Sequence, residues 1–150
     1  MTCYLVRHGA AAPGSDDRLR PLTPAGRIEV ESTARVLLTQ GVEVAEIRHS
    51  GLTRARETAE ILSARLTPPQ GIRATTGLAP EDDPDVAAAE LELTTSPLML
   101  VGHLPHLARL ATALVGDAAV ERIHFAPATA VALRRRPQGW AVDLVVGPRG

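Results

Sequence analysis

Apolar residues along this chain fall into two alternating rhythms. Short uninterrupted runs, such as Cys3-Tyr4-Leu5-Val6 and Leu98-Met99-Leu100-Val101, have the pattern of strands buried on both faces, as in a parallel sheet. Longer stretches between them carry helical spacing. Ala55, Ala59, Leu62 and Leu66 share one face of a helix over 52–66, which Thr67-Pro68-Pro69 ends. Thr23 before Pro24 marks another helix start, running to about Gln40 with Gly41 as its stop. The facing of that helix is not legible, because Ile28, Ser32, Arg35 and Leu38 differ in character. The remaining pattern predicts a strand over 42–49, an edge strand near 72–76 and a helix from Pro84 or Asp85 to about Leu93. A helix from Pro105 to Val115, stopped by Gly116, follows the Leu98 strand, and a hairpin of 130–134 and 140–146 turns at Pro137-Gln138-Gly139. Strands alternating with helices make this an α/β chain with a mostly parallel sheet. With 150 residues and no repeat, low-complexity segment or linker, it is expected to be a single domain over 1–150.

Composition narrows the function classes. Hydrophobic residues make up 45% of the chain and aromatics 2%, so aliphatic side chains must fill the core. The formal net charge of −1 gives no basic excess, which argues against nucleic-acid binding. No apolar run reaches the length of a membrane span and no secretory leader pattern opens the sequence, so a cytoplasmic protein with no membrane partner is expected. The lone cysteine, Cys3, lies in a predicted buried strand and reads as a small core residue.

Chemistry collects at the strand ends. Arg7-His8-Gly9 follows the first buried strand, and Gly102-His103 ends the Leu98 strand. Ser50-Gly51-Leu52-Thr53-Arg54 lies between a strand and a helix. Ligands of open α/β sheets bind beyond the carboxyl ends of strands. Two arginines and two histidines gathered there suit a phosphoryl group: guanidinium forks hold its oxygens, and a neutral imidazole nitrogen attacks phosphorus. Two arginines beside His8 would lower its pKa, and a carbonyl on its other ring nitrogen would fix its tautomer. Those side chains supply the positive charge, so no metal and no cofactor is expected.

Four segments, RHG at 7–9, LTPAG at 22–26, SGLTRARETA at 50–59 and VGHLP at 101–105, together resemble the histidine phosphatase superfamily, the phosphoglycerate-mutase-like proteins. The resemblance implies a three-layer α/β/α sandwich with helices on both faces of the sheet. It also implies a phosphohistidine intermediate on His8, with Arg7, Arg54 and His103 around the phosphate. Gly9 and Ser50 are further candidates for binding it. Arg20-Pro21-Leu22-Thr23 and the shortness of the chain resemble the compact SixA-type phosphohistidine phosphatases. The expected function is then a metal-independent phosphatase acting on phosphohistidine carried by a partner protein, through an open pocket that also takes phosphate or sulfate. Arg18 and Arg20 are candidate substrate contacts, and a monomer is expected.

The pattern departs from the family at two places. Ala10 follows RHG where many members have Glu or Gln. No motif marks a carboxylic acid that would protonate a leaving oxygen; Glu81 and Asp82 are the candidates. The same acidic stretch, with Asp83, reads equally as the N-terminal turn of the following helix. Two other functions remain open: a phosphatase of a small phosphate ester using Glu81 or Asp82 as general acid, and a non-catalytic phosphate-binding module. Arg56 falls on another helical face than Arg54 and reads as a solvated or ion-paired residue. His106, three residues after His103, has a metal-site spacing but no cluster of further ligands.

Overall fold

The structure, a computed structural model, describes residues 1–148. Its order is β1 (Thr2–Arg7), α1 (Pro24–Thr39), β2 (Glu46–His49), α2 (Thr53–Leu66), β3 (Ile72–Ala74), α3 (Pro84–Leu93), β4 (Leu98–Gly102), α4 (His106–Val115), α5 (Asp117–Glu121), β5 (Ala130–Arg136) and β6 (Gly139–Val146). A 3-10 turn, Asp17–Leu19, interrupts the loop after β1. One six-stranded sheet runs in the order β3-β2-β4-β1-β5-β6. The first four strands are parallel, and β5 and β6 are antiparallel to their neighbours.

The sheet is covered on both faces. Tyr4 and Val6 point to the side where Val30, Ala34 and Leu37 of α1 and Ala55, Ala59 and Leu62 of α2 pack. Cys3 and Leu5 point to the other side, against Leu91 of α3 and Leu107 and Leu110 of α4. That is the three-layer α/β/α arrangement, and it explains the unbroken apolar run of β1: alternate residues serve two cores. Each fully buried leucine contributes roughly 1.5–3 kcal/mol of burial free energy.

Helix starts follow the local signals. Thr23 Oγ1 accepts from the Gly26 N–H, with Pro24 in the first turn. Asp83 Oδ1 accepts from the Asp85 N–H at the start of α3. Gly41 has φ +75°, the left-handed stop after α1. The buried face of α1 is Gly26, Val30, Thr33, Ala34 and Leu37, while Ile28 and Leu38 are exposed. This face was hidden in the sequence because, with Ser32 also buried, only three of the six are clearly apolar. Several boundaries differ from expectation, among them the edge strand, which stops at Ala74. Residues 42–45 precede β2 rather than joining it, although Val42 and Val44 are buried. The 3-10 turn and α5 are too short to show a period. The terminal hairpin extends to Arg136 and Gly139.

Candidate active site

Strand register places the two histidine turns side by side. Arg7 of β1 is opposite Gly102 of β4, and the His8 N–H donates to the Gly102 carbonyl at 3.0 Å. His8 and His103 therefore leave neighbouring strands at one level, with ring centroids 4.9 Å apart and planes tilted by 50°. On the other side of β4, His49 of β2 is opposite Val101. That brings Ser50 alongside His103, with Oγ 2.6 Å from His103 Nε2.

The hydrogen bonds fix which ring nitrogens are free. His8 Nδ1 lies 2.6 Å from the Gly9 carbonyl, an acceptor, so Nδ1 carries the proton and the Nε2 lone pair is left available. Ser50 Oγ, which lies 2.6 Å from His103 Nε2, also accepts from the Leu52 N–H at 3.3 Å. His103 Nδ1 is buried with no hydrogen-bond partner among the described residues. Arg7 donates from Nη1 to the Phe125 carbonyl at 2.9 Å, while its buried Nε is also without a partner among the described residues. Buried polar atoms left unmatched cost free energy unless a ligand pairs with them.

Both rings are neutral. Burial is the main cause that lowers the His8 pKa to about 4, and Arg54, Arg7 and Arg20 push it in the same direction. Burial again dominates for His103, lowered to about 3, with His8 and Arg54 adding to the effect. The two arginines expected to neutralise His8 do contribute, but removal from water is the stronger cause.

The turns are pinned from behind. Thr58 Oγ1 accepts from the Gly9 N–H at 3.0 Å and donates to the Arg54 carbonyl at 2.8 Å. A Cβ at Gly9 would come within 2.7 Å of Val30 Cγ2, and one at Gly26 within 2.2 Å of the Ala10 carbonyl oxygen. Two glycines thus let the loop after β1 close against the first turn of α1. The Arg54 side chain is 7% exposed. Its Nη1 donates to the Asp17 carbonyl at 2.8 Å, and its Nη2 lies 3.3 Å from Asp17 Oδ2.

Comparison with known proteins fits this geometry. The model of the histidine phosphatase superfamily (branch 1) matches residues 3–79. The chain belongs to the histidine phosphatase superfamily. It is 36% identical over 143 residues to an uncharacterized protein of Picosynechococcus sp., covering 89% of this chain and 85% of that one. It is 39% identical over 82 residues to the mitochondrial serine/threonine-protein phosphatase PGAM5 of Rattus norvegicus, a match over 54% of this chain and 28% of that protein. The structure of the protein histidine phosphatase SixA complexed with tungstate superposes with a TM-score of 0.90 at 25% identity, over 99% of this chain and 97% of that one. The structure of the putative phosphohistidine phosphatase SixA from Agrobacterium tumefaciens superposes with a TM-score of 0.86 at 22% identity, over 99% and 98% of the two chains. The fold is therefore phosphoglycerate-mutase-like, and the chain is a phosphatase of SixA type.

Within this histidine phosphatase, the structure groups His8, Arg7, Arg54, His103 and Ser50 at the carboxyl ends of β1, β2 and β4. Gly9 lies in the same turn, but its N–H is given to Thr58. Arg20 reaches close enough to act on His8, and is held by the Ala12 carbonyl at 2.8 Å and by Asp17 Oδ1 at 2.9 Å. Arg18 pairs with Asp16 on the surface. Glu81 is exposed and lies 3.4 Å from Arg109. Asp82 Oδ2 accepts from the Ala79 N–H at 2.9 Å and lines, with Ser50 and Thr76, a cavity of about 520 Å³. Arg56 pairs with Glu60 one helical turn on. His106 is fully buried at the start of α4, where burial lowers its pKa.

Sequence reasoning missed Thr58, Asp17 and Glu57. Glu57 accepts from the Leu22 N–H and from Arg27, each at 2.8 Å. Thr58 and Glu57 stood inside the 50–59 segment, which was the available signal. Asp17 had none beyond its place in a polar loop.

Proposed function

We propose that this phosphatase works through a covalent phosphohistidine on His8 and that its substrate is phosphohistidine on another protein. The observation that carries this is the His8 tautomer: Nδ1–H is held by the Gly9 carbonyl, and Nε2 is free beside a neutral His103. The lone pair of Nε2 attacks phosphorus while the bond to the leaving group breaks. Arg7, Arg54 and His103 hold the phosphoryl oxygens, whose charge persists through the transition state. Water then attacks phospho-His8, releasing inorganic phosphate and restoring Nε2. The tungstate in the SixA structure, a tetrahedral oxyanion, supports the same reading of this pocket.

The substrate follows from the leaving group. Ester cleavage is easier when an acid protonates the departing oxygen. Asp83 caps α3, Asp82 is turned onto the Ala79 N–H, and Glu81 lies over Arg109. A phosphorylated imidazole leaves without such help. One observation favours the alternative of a small phosphate ester: Asp82 lines the cavity that adjoins Ser50.

The test is rapid quenching after mixing with phosphohistidine or with a sugar phosphate, followed by detection of acid-labile phosphate on the enzyme. His8→Asn should form no phosphoenzyme and lose at least about a thousandfold in turnover. Steady phosphopeptide binding without phosphoenzyme or released phosphate would make the chain a binding module instead. Better turnover of the ester, collapsing in Asp82→Asn or Glu81→Gln, would make it an ester phosphatase.

A further inference from the structure

The reaction as proposed assigns nothing to Asp17, yet its carboxylate pairs with an arginine of the site. One oxygen lies 2.9 Å from Arg20 Nη1 and the other 3.3 Å from Arg54 Nη2. The Asp17 main-chain carbonyl takes Arg54 Nη1 at 2.8 Å. The guanidinium is buried, whereas the Asp17 side chain is 62% exposed. The exposed carboxylate is therefore paired with a buried arginine whose charge acts on His8.

In-line transfer sets where the rest of the substrate must be. The phosphoryl group sits against His8, Arg54 and His103, so the leaving atom departs opposite Nε2, toward solvent. Asp17 is paired with Arg54, one of the cations assigned to the phosphoryl oxygens in that reaction. Its hydrogen bond from Arg20, and then the Arg54 charge, hold its pKa below the ordinary carboxylate range. It is thus a fixed negative charge, and it is near enough to His103 to offset part of the fall in pKa that burial, His8 and Arg54 impose there.

We propose that Asp17 is a specificity-determining residue that favours phosphoramidates with a cationic leaving ring over esters whose leaving oxygen becomes an anion. The inference rests on the phosphohistidine reading above. A histidine phosphorylated on one ring nitrogen is a cation when the other nitrogen is protonated. As Nε2 of His8 forms its bond to phosphorus, the electrons of the old P–N bond pass to that ring. It leaves as neutral imidazole and needs no proton from the enzyme. The Asp17 carboxylate attracts the ring in its cationic form. An ester oxygen takes the same electron pair as an anion, and the same carboxylate repels it.

Asp17→Asn removes the charge and keeps the main-chain carbonyl that holds Arg54. The experiment compares kcat/KM for phosphohistidine and for p-nitrophenyl phosphate in wild type, Asp17→Asn and Asp17→Glu. The expected result is that the ratio of the two falls about fivefold in Asp17→Asn, the effect of one charge across a solvated gap, and returns in Asp17→Glu. An equal loss on both substrates would show that Asp17 only positions Arg54, and would overturn the proposal. An unchanged ratio would overturn it as well, leaving the phosphohistidine reading intact. A wild-type enzyme that cleaves p-nitrophenyl phosphate but not phosphohistidine would overturn both.

Discussion

Two Asp-Asp pairs, 16–17 and 82–83, lie in the loops that follow β1 and β3, and they end up doing different things. Each pair begins with the same local task. Asp16 caps the 3-10 turn by accepting from the Arg18 N–H, and Asp83 caps α3 by accepting from the Asp85 N–H. The other member of each pair is what differs. Asp17 reaches Arg54 and Arg20. Asp82 folds back onto the Ala79 N–H of its own loop. The first loop is tied to the helix behind the site, through Glu57 on the Leu22 N–H and through Arg54 on the Asp17 carbonyl. The second is tied to its own backbone, to His49 of β2 through the Thr75 N–H, and to Arg109 on the surface. Residue type alone marked only the 81–83 stretch as a candidate for acid chemistry. The partner of each carboxylate separates them: one belongs to the charge balance of the pocket, and the other is a wall with its acids already engaged.

The sharpest test of that difference is Arg54→Ala. It removes a buried guanidinium from the phosphate site and strips Asp17 of its inner partner, so kcat/KM should fall by about a thousandfold in steady-state assays. A loss of only a few-fold would mean that the first loop is not coupled to catalysis.

The pH profile is the next largest effect. His8 is neutral down to about pH 4, so kcat/KM should stay level from pH 8 to near 5. Below about 4 it should fall roughly tenfold per unit, as the lone pair of Nε2 is protonated. Stability moves in the same direction. His8 and His103, lowered to about 4 and about 3, bind protons less readily folded than unfolded, where the ordinary value is 6.5. Folding free energy is therefore lost as pH drops through 6.5 toward those values. Thermal melts at pH 7 and pH 4.5 check this; a higher midpoint at pH 4.5 would contradict the neutral pair.

Gly26→Ala probes where the first loop begins. Its Cβ would meet the Ala10 carbonyl oxygen at 2.2 Å, and the backbone must shift, at a cost of roughly 1–3 kcal/mol in urea unfolding. The smallest effect belongs to the second loop. Asp82→Asn and Glu81→Gln should change phosphohistidine turnover by less than about twofold, since an exposed pair such as Glu81–Arg109 contributes at most about 1 kcal/mol. A tenfold loss in either variant would erase the contrast between the loops.

What could be read in the chain was what depends on near neighbours. The apolar run of β1, the Thr23-Pro24 start of α1, the Ala55-Ala59-Leu62 face of α2 and the Gly-His ends of strands are local patterns, and local patterns set secondary structure and the strand ends where ligands bind. The family resemblance rests on short segments of that kind, and those segments contain His8, Arg7, Arg54 and His103. Long-range contacts decided the remainder. Only the register of β1 on β4 puts His8 4.9 Å from His103. Only the packing of α2 behind the first turn gives Thr58 to Gly9 and Glu57 to Leu22. Only the path of the 10–22 loop separates Asp17 from Asp82. Hydrogen bonds and charge pairs act over a few ångströms of space, while the groups they join here, from Leu22 and Glu57 to Arg7 and Phe125, are 35 to 118 positions apart in sequence, so no spacing rule along the chain can announce them.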